Sequence, residues 1–189
     1  MTTRKQSGGS GDTVTVNRAP VLTLWAAVVA ERLGFDRAEA LTLGKTMAGL
    51  NAQSKGRALG IFTPAKKAET ERRRNALRPG DTTHVLLLHR AVPCVRTSEG
   101  LRAVAKDRPV KPDSVERYLA GKFGDALPAA RSAMEALARA FEPEDLGERA
   151  FSLYEEFRPA VPKGVRSWGA AGTLDLDLIR SLARPKRGG

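Results

Sequence analysis

The sequence predicts a mainly α-helical protein with a small antiparallel β element, an α+β fold that joins a helical hairpin over residues 20–60 to a C-terminal helical bundle. Apolar residues recur at helical spacing before residue 60 and again after residue 112. The only strand-like runs lie between residues 83 and 105, where β-forming residues are bounded by turn-forming ones. Hydrophobic residues make up 41% of the 189-residue chain, which is enough for the core of an ordinary domain.

The first helix is predicted from Pro20 to Leu33. Proline suits the first helical position because its missing N–H would be unpaired there in any case. Gly34 can adopt the left-handed conformation that ends a helix. Apolar residues leave this helix little polar face, so we expect it to be central.

A second helix is predicted to start after Asp36, which caps it, and to run towards Gly60. Glu39, three residues after the cap, completes a capping box. Small residues recur along this helix at intervals of four: Gly44, Ala48, Ala52, Gly56 and Gly60. Such a row lets another backbone approach closely. We interpret it as packing against the first helix, with close approach to a phosphate backbone as the alternative.

An exposed basic helix is predicted over residues 64–78, because proline lies at its start and directly after its end. The β element follows as runs at 83–88, 92–96 and 101–105, the last two joined as a hairpin by residues 97–100.

The C-terminal bundle is predicted as three helices and a short last one. The first starts near Asp113, with Glu116 completing a second capping box. The other two start near Pro128 and near Glu144 and carry apolar stripes. The last helix covers residues 174–183.

The domain organisation follows from composition. Residues 1–17 lack apolar content and contain a Ser-Gly-rich stretch, which predicts a disordered N-terminal arm. Residues 18–183 are expected to form a single compact globular domain, with candidate subdivisions near 80 or 111. Residues 184–189 form a basic tail.

Composition also argues against a membrane protein and a disulfide-stabilised one. No apolar run approaches the roughly 18 residues that a membrane span requires. The most apolar segment, residues 20–30, follows a polar tail and continues into charged residues, so we interpret it as a core helix rather than a signal peptide. Cys94 is the only cysteine, which excludes a disulfide within the chain. We expect a cytoplasmic location.

Positive charge is concentrated in the middle of the chain. Residues 45–111 contain fifteen Lys or Arg and five Asp or Glu, a net charge of +10. Residues 112–180 contain nine basic and twelve acidic residues, a net charge of −3. This asymmetry predicts a polyanionic partner, with nucleic acid as the first candidate.

Residues 29–43 resemble the helix-turn-helix unit of bacterial DNA-binding proteins, which would imply that the second helix reads the major groove. The resemblance is carried by a small residue, a turn glycine, a polar cap and two apolar residues at that unit's spacing: Ala30, Gly34, Asp36, Ala40 and Leu43. Two features depart from the pattern. Leu41 is apolar where a groove-facing residue is expected, and two carboxylates lie at the end that would approach phosphate. We weigh a DNA-reading unit against a structural hairpin and favour the hairpin.

Candidate nucleic-acid contacts fall into two sets. Side chains that can hydrogen-bond bases or phosphates close the second helix: Asn51, Gln53, Lys55 and Arg57. Clustered cations that can bind phosphate follow: Lys66, Lys67, Arg72, Arg73, Arg74 and Arg78. A solvated helix end and a salt-bridged solvent-exposed face are the respective alternatives. Aromatic residues are scarce here, which favours duplex over single-stranded nucleic acid.

No catalytic constellation, metal site or cofactor is predicted. His84 and His89 are the only histidines, and their spacing places them on opposite faces of one strand. Cys94 is interpreted as a buried structural thiol. Asp175 and Asp177 are interpreted as capping residues of the last helix.

Two segments, His89-Arg-Ala-Val-Pro93 and Glu155-Glu-Phe-Arg-Pro-Ala-Val-Pro162, resemble a family of uncharacterised bacterial proteins with no known activity. That resemblance implies no mechanism. The hypothesis from sequence is a non-enzymatic nucleic-acid-binding protein that holds double-stranded DNA through residues 45–111. The alternative is an interaction or scaffold module, in which acidic C-terminal helices contact the basic middle of a second copy, or the basic middle binds an acidic protein.

Overall fold

The computed structural model of the chain describes residues 12–53, 72, 76–161 and 171–184. The helices are α1 (Arg18–Arg32), α2 (Arg37–Gln53), α3 (Pro112–Phe123), α4 (Leu127–Arg139), α5 (Pro143–Phe157) and α6 (Leu176–Leu182). The strands are β1 (Thr13–Val16), β2 (Thr82–Leu87), β3 (Arg90–Thr97), β4 (Gly100–Ala105), β5 (Arg108–Pro109) and β6 (Gly172–Asp175). The fold is substantially helical with two small antiparallel sheets, so the predicted mixed α+β class is confirmed.

Helix α1 is the centre of the protein, as its composition predicts. Every residue from Pro20 to Ala30 is buried. The Trp25 indole donates a hydrogen bond of 2.8 Å to the carbonyl of Ala150 on α5. The Trp25 ring also meets Phe157 edge-on, with 5.3 Å between ring centroids. Helix α5 is therefore fastened to α1 by both a polar and an aromatic contact.

Helices α1 and α2 form a closely packed hairpin. A Cβ atom added at Gly44 would lie 2.5 Å from the carbonyl oxygen of Thr23 and 2.8 Å from the backbone nitrogen of Ala27. Ala48 is also buried, whereas Ala52 is exposed. The first part of the small-residue row therefore serves helix packing. Residues 54–60, which complete the row, lie outside the described residues.

The larger sheet is an antiparallel meander in the order β2-β3-β4-β5. Cys94 on β3 lies opposite Thr83 on β2 and Ala103 on β4, so these three side chains share the face that meets α2. Cys94 is buried there, as expected for a structural thiol.

Two side chains of α2 bond to the outer edge of β4. Glu39 Oε2 accepts a hydrogen bond of 3.0 Å from the backbone N–H of Leu101, and Thr42 Oγ1 accepts one of 3.0 Å from that of Ala103. Strand β5 is too short to cover this stretch, since it pairs only with Val104 and Ala105. The helix thereby satisfies backbone donors that a longer strand would otherwise take.

The caps of two helices follow the predictions. Glu39 N–H donates to Asp36 Oδ1 at 2.8 Å and Asp36 N–H donates to Glu39 Oε1 at 3.1 Å, which is the predicted capping box. Asp175 caps α6 by accepting from the backbone N–H groups of Asp177 and Leu178.

The predicted capping box of α3 is wrong. The cap position is Lys111, without a side-chain hydrogen bond, and Asp113 lies within the first turn. Pro112 occupies the first helical position and moves the start of the helix one residue earlier. Glu116 forms an ion pair of 3.2 Å with Arg37 instead.

The smaller sheet differs most from the sequence prediction. Strand β1 lies within the segment 1–17 that was predicted as a disordered arm, and it pairs antiparallel with β6. Val14 and Val16 face the core while Thr13 and Thr15 are exposed. The predicted start of the last helix at residue 174 is also wrong, because residues 174 and 175 belong to β6.

Candidate nucleic-acid interface

Three of the ten predicted contact residues have described side chains: Asn51, Arg72 and Arg78. Gln53 is the last residue of α2. The remaining six lie outside the described residues: Lys55, Arg57, Lys66, Lys67, Arg73 and Arg74.

The basic helix predicted over residues 64–78 is described at its end only. Arg72 and Ala76 are helical, whereas Leu77 and Arg78 are not. Arg72 and Arg78 are both exposed. The backbone N–H of Arg78 donates to Asp81 Oδ2 at 2.8 Å.

The burial of α2 bears on the two interpretations of residues 29–43. Leu41, at the position expected to face a DNA groove, is 2% exposed. Residues 39–44 and 46–48 are all buried between α1, α3 and the larger sheet. Before Gly49, only Arg37, Ala38 and Lys45 of α2 retain exposed or half-exposed surface, which favours the structural hairpin over a DNA-reading unit.

Asn51 forms a contact that the sequence did not reveal. Its Oδ1 accepts a hydrogen bond of 3.3 Å from Arg90 Nη2 at the start of β3. The side chain predicted to contact bases thus holds an arginine within the fold.

Helix α2 runs along β4 towards one end of the sheet. Its first turn bonds to Leu101 beside the β3–β4 turn, and its last turn bonds to Arg90 beside the β2–β3 turn. The β4–β5 turn lies at the same end as Arg90, because β4 runs antiparallel to β3. This turn contributes Lys106 and Arg108, both exposed.

Helices α2 and α3 bring a lysine pair together. Lys45 Nζ lies 3.6 Å from the ring centroid of Tyr118, a cation–π contact. Burial lowers the pKa of Lys45, and the charge of Lys122 lowers it further. Burial also raises the pKa of Tyr118. Lys45 lies six residues before Asn51 on α2, about 9 Å along the helix axis.

Arg90, Lys106 and Arg108 lie towards one end of the sheet, and the pair Lys45 and Lys122 lies between α2 and α3, about 9 Å back along α2. Together we call these five cations the α2-end group: Lys45, Arg90, Lys106, Arg108 and Lys122. Arg78 and Arg96 belong to the other end, where the backbone of Arg96 bonds to Gly80 and Asp81. Six residues of extended strand separate Arg90 from Arg96, a distance of about 20 Å. Six of these seven cations come from residues 45–111 and Lys122 comes from α3, and they form two groups rather than one continuous row.

Within the described residues, no carboxylate oxygen lies within 4 Å of a cation of the α2-end group, of Arg78 or of Arg96. Among the described cations of the larger sheet, Arg102 does have a carboxylate oxygen at this distance. Its guanidinium is buried, donates to the carbonyls of Leu101 and Glu99, and lies 4.0 Å from the Glu99 carboxylate. Two acidic residues belong to the same end of the sheet as Arg90, Lys106 and Arg108: Asp107 and Glu148.

The described residues assemble no catalytic group. His84 is exposed, and His89 Nε2 lies 3.1 Å from the Glu148 carbonyl oxygen, which can only accept. Burial raises the pKa of the Cys94 thiol to about 12, so the thiol stays protonated and is a poor nucleophile at neutral pH. In the described ranges, no three His, Cys, Asp or Glu side chains are placed to hold a metal ion together.

Comparisons with protein families, with curated proteins and with solved structures found no match to this chain. The resemblances of residues 89–93 and 155–162 therefore stay predictions. No helix in the described part of the chain combines the length and apolar content that crossing a bilayer requires.

Proposed function

We propose that this chain is a non-enzymatic DNA-binding protein whose basic middle region contacts the phosphates of a duplex. The observation that carries the proposal is the lack of carboxylate partners for the α2-end group within the described residues. A cation whose charge is not neutralised by a nearby carboxylate attracts an external anion more strongly.

The lysine pair illustrates the electrostatics. Lys45 and Lys122 repel each other, and burial adds to the cost of keeping Lys45 charged. A phosphate oxygen between the two ammonium groups offsets both penalties. The glycines at positions 49 and 121, on the two helices that carry the pair, leave open space for a backbone to approach.

The spacing of the two cation groups suits a duplex. Successive phosphates of one strand are about 3.4 Å apart along the helix axis, so the roughly 20 Å between the groups corresponds to about six base pairs. The arrangement predicts phosphate contacts without a base-reading helix, and hence affinity with little sequence preference.

Salt-dependent binding to a fluorescent duplex of about 25 base pairs tests the proposal by anisotropy. Seven phosphate contacts, one for each cation of the two groups, give a slope of about −6.3 for log K against log salt concentration. The double substitution Lys45→Gln and Lys122→Gln should reduce that slope by about 2. Arg139→Gln removes an exposed cation of α4 and serves as the matched control that leaves the slope unchanged.

The second set of predicted contacts is tested separately. Reversing Arg72, Arg73 and Arg74 to glutamate should weaken binding strongly, because three favourable phosphate interactions become repulsive, while circular dichroism stays native. Absence of binding to any duplex at low salt would refute the proposal.

The scaffold alternative has one supporting observation. Helix α5 has five exposed carboxylates, none in an ion pair within the described residues: Glu144, Asp145, Glu148, Glu155 and Glu156. Light scattering at low and high salt separates the two functions. Oligomers that dissociate in salt, together with no DNA affinity, would favour the scaffold.

A further inference from the structure

Strand β2 is an edge of the larger sheet, with β3 on one side only. The turn that joins β2 to β3 has two residues, both at positive φ, so Leu87 and Arg90, which flank it, form a hydrogen-bonded pair. Hydrogen-bonded pairs alternate along an antiparallel ladder. The backbone N–H and C=O groups of Thr82, His84 and Leu86 therefore point away from β3, towards the outside of the sheet.

The outer side of β2 is unpaired within the described residues. At the start of the strand the N–H of Arg96 donates to the carbonyl of Asp81 at 2.8 Å, which fixes the same alternation. The outward-facing groups of Thr82, His84 and Leu86 have no hydrogen-bond partner in the described part of the chain. Thr82 and His84 are also exposed. The edge is thus open to a further strand.

Strand β2 lacks the features that keep an edge strand from pairing, which are charged side chains, proline and bulges. Between Thr82 and Leu87 it has no charged residue and no proline, and its register with β3 is continuous. Helix α2 packs mainly on β4 and β3, away from this edge. A continuous, uncharged and uncovered edge is a template for strand addition.

A second copy of β2 fits this edge in one symmetric register. Antiparallel pairing about His84 places His84 opposite its own counterpart and Thr82 opposite Leu86 of the second copy. Each such pair exchanges two backbone hydrogen bonds, so every outward-facing N–H and C=O group of both strands is satisfied. We propose that the protein forms a twofold dimer in which the two β2 strands pair about His84 and join the two larger sheets into one.

The charges at the ends of β2 favour a second copy over an unrelated strand. In this register Asp81, which precedes β2, lies opposite Leu87 of the second copy. Arg90 of the second copy is paired with that Leu87, so it lies on the same face, about 10 Å from Asp81 between Cα atoms. The twofold axis repeats this arrangement at the other end. An uncharged centre is thereby flanked on both sides by opposite charges that attract.

This dimer is separate from both functions proposed above. It does not rest on DNA binding, and its interface differs from the scaffold alternative, in which acidic helices contact a basic region. Backbone hydrogen bonds form most of the contact. The dimer should therefore persist at high salt, where association through exposed charges is screened.

Sedimentation equilibrium of the full chain at high salt, without nucleic acid, tests the dimer. We expect the natural chain to reach twice the mass of one chain as its concentration rises. His84→Lys places two like charges directly opposite each other and should lose the dimer. Thr15→Lys adds the same charge at an exposed position of β1 and is the matched control that keeps it. A natural chain that stays monomeric, or a His84→Lys variant that dimerises equally well, would overturn the proposal.

Cysteine cross-linking tests the register. The Cα atoms of the two copies of residue 84 should lie about 5.5 Å apart, which a disulfide can span, so oxidised glutathione should convert His84→Cys to a covalent dimer. Thr82→Cys lies on the same face of the same strand, but its two copies are about 13 Å apart along the strands, so it should remain monomeric under the same conditions. The natural Cys94 is buried and does not compete. Equal cross-linking of the two variants, or none in His84→Cys, would also overturn the proposal.

Discussion

The hydrogen bond between Thr42 and the edge of β4 can be removed with almost no change of shape. Thr42→Val replaces the hydroxyl by a methyl group and leaves the backbone N–H of Ala103 without its acceptor at 3.0 Å. A buried donor left unpaired costs about 1–3 kcal/mol. The added methyl group recovers up to about 0.8 kcal/mol of hydrophobic transfer free energy. We therefore expect the free energy of unfolding to fall by about 1–2 kcal/mol.

Two other buried threonines of the hairpin provide matched controls. The Thr23 hydroxyl donates to the Ala19 carbonyl within α1, so Thr23→Val leaves no backbone donor unpaired and should change stability by less than about 0.5 kcal/mol. The Thr46 hydroxyl is buried and has no hydrogen-bond partner in the described structure. Thr46→Val should therefore stabilise the protein, by about 1 kcal/mol.

Urea unfolding followed by circular dichroism at 222 nm measures all three variants. The same Thr→Val change should therefore lower the free energy of unfolding at Thr42, leave it nearly unchanged at Thr23 and raise it at Thr46, according to the partner of each hydroxyl. Equal effects for Thr42→Val and Thr23→Val would refute the claim that α2 caps the edge of β4. A destabilised Thr46→Val would refute the assignment of an unpaired hydroxyl.

Two further predictions concern packing and pH. Gly44→Ala should destabilise the protein by about 3 kcal/mol, because the new Cβ meets backbone atoms of α1 that cannot yield. Gly49→Ala should stabilise it by about 0.5–1 kcal/mol, because the Cβ added there points into open space. Equal urea midpoints for the two variants would contradict this prediction. Burial raises the pKa of Cys94 from 9.0 to about 12 and that of Tyr154 from 10.0 to about 12. Both protonated groups therefore favour the native state at neutral pH. Their contribution to the free energy of unfolding is lost as pH rises above about 9, because the unfolded chain then releases these protons first. The free energy of unfolding should fall between pH 9 and 11, less steeply for Tyr154→Phe, and a slope unchanged by that substitution would contradict the assignment.

Local signals in the sequence were sufficient to predict most of the helices and the antiparallel meander. The capping box at Asp36, the apolar content of α1 and the turn residues around 97–100 each act within a few residues, so they could be identified without tertiary information. The cap of α3 was misassigned because Pro112 and Asp113 both signal a helix start, and the proline prevails. Strand β1 was missed because its four residues gain their stability from a distant partner.

The candidate interface was predictable as a charged region but not as a geometry. Lys45 meets Tyr118 only because α2 packs beside α3, and Asn51 meets Arg90 only because α2 ends above the start of β3. The apolar Leu41 was the one local sign that α2 would be covered. Pairing across elements is decided by tertiary packing, which periodicity and composition do not encode.

The pairing of β1 with β6 joins segments about 160 residues apart, and it has a consequence for biosynthesis. At a synthesis rate of about 5–20 residues per second, β1 waits roughly 8–32 s for its partner strand to be made. Helix α1, which follows β1 directly, also awaits Ala150 and Phe157 on α5. Among the described helices, α1 is the most apolar and is made well before the segments that cover it, so its apolar surface stays exposed for that interval of translation.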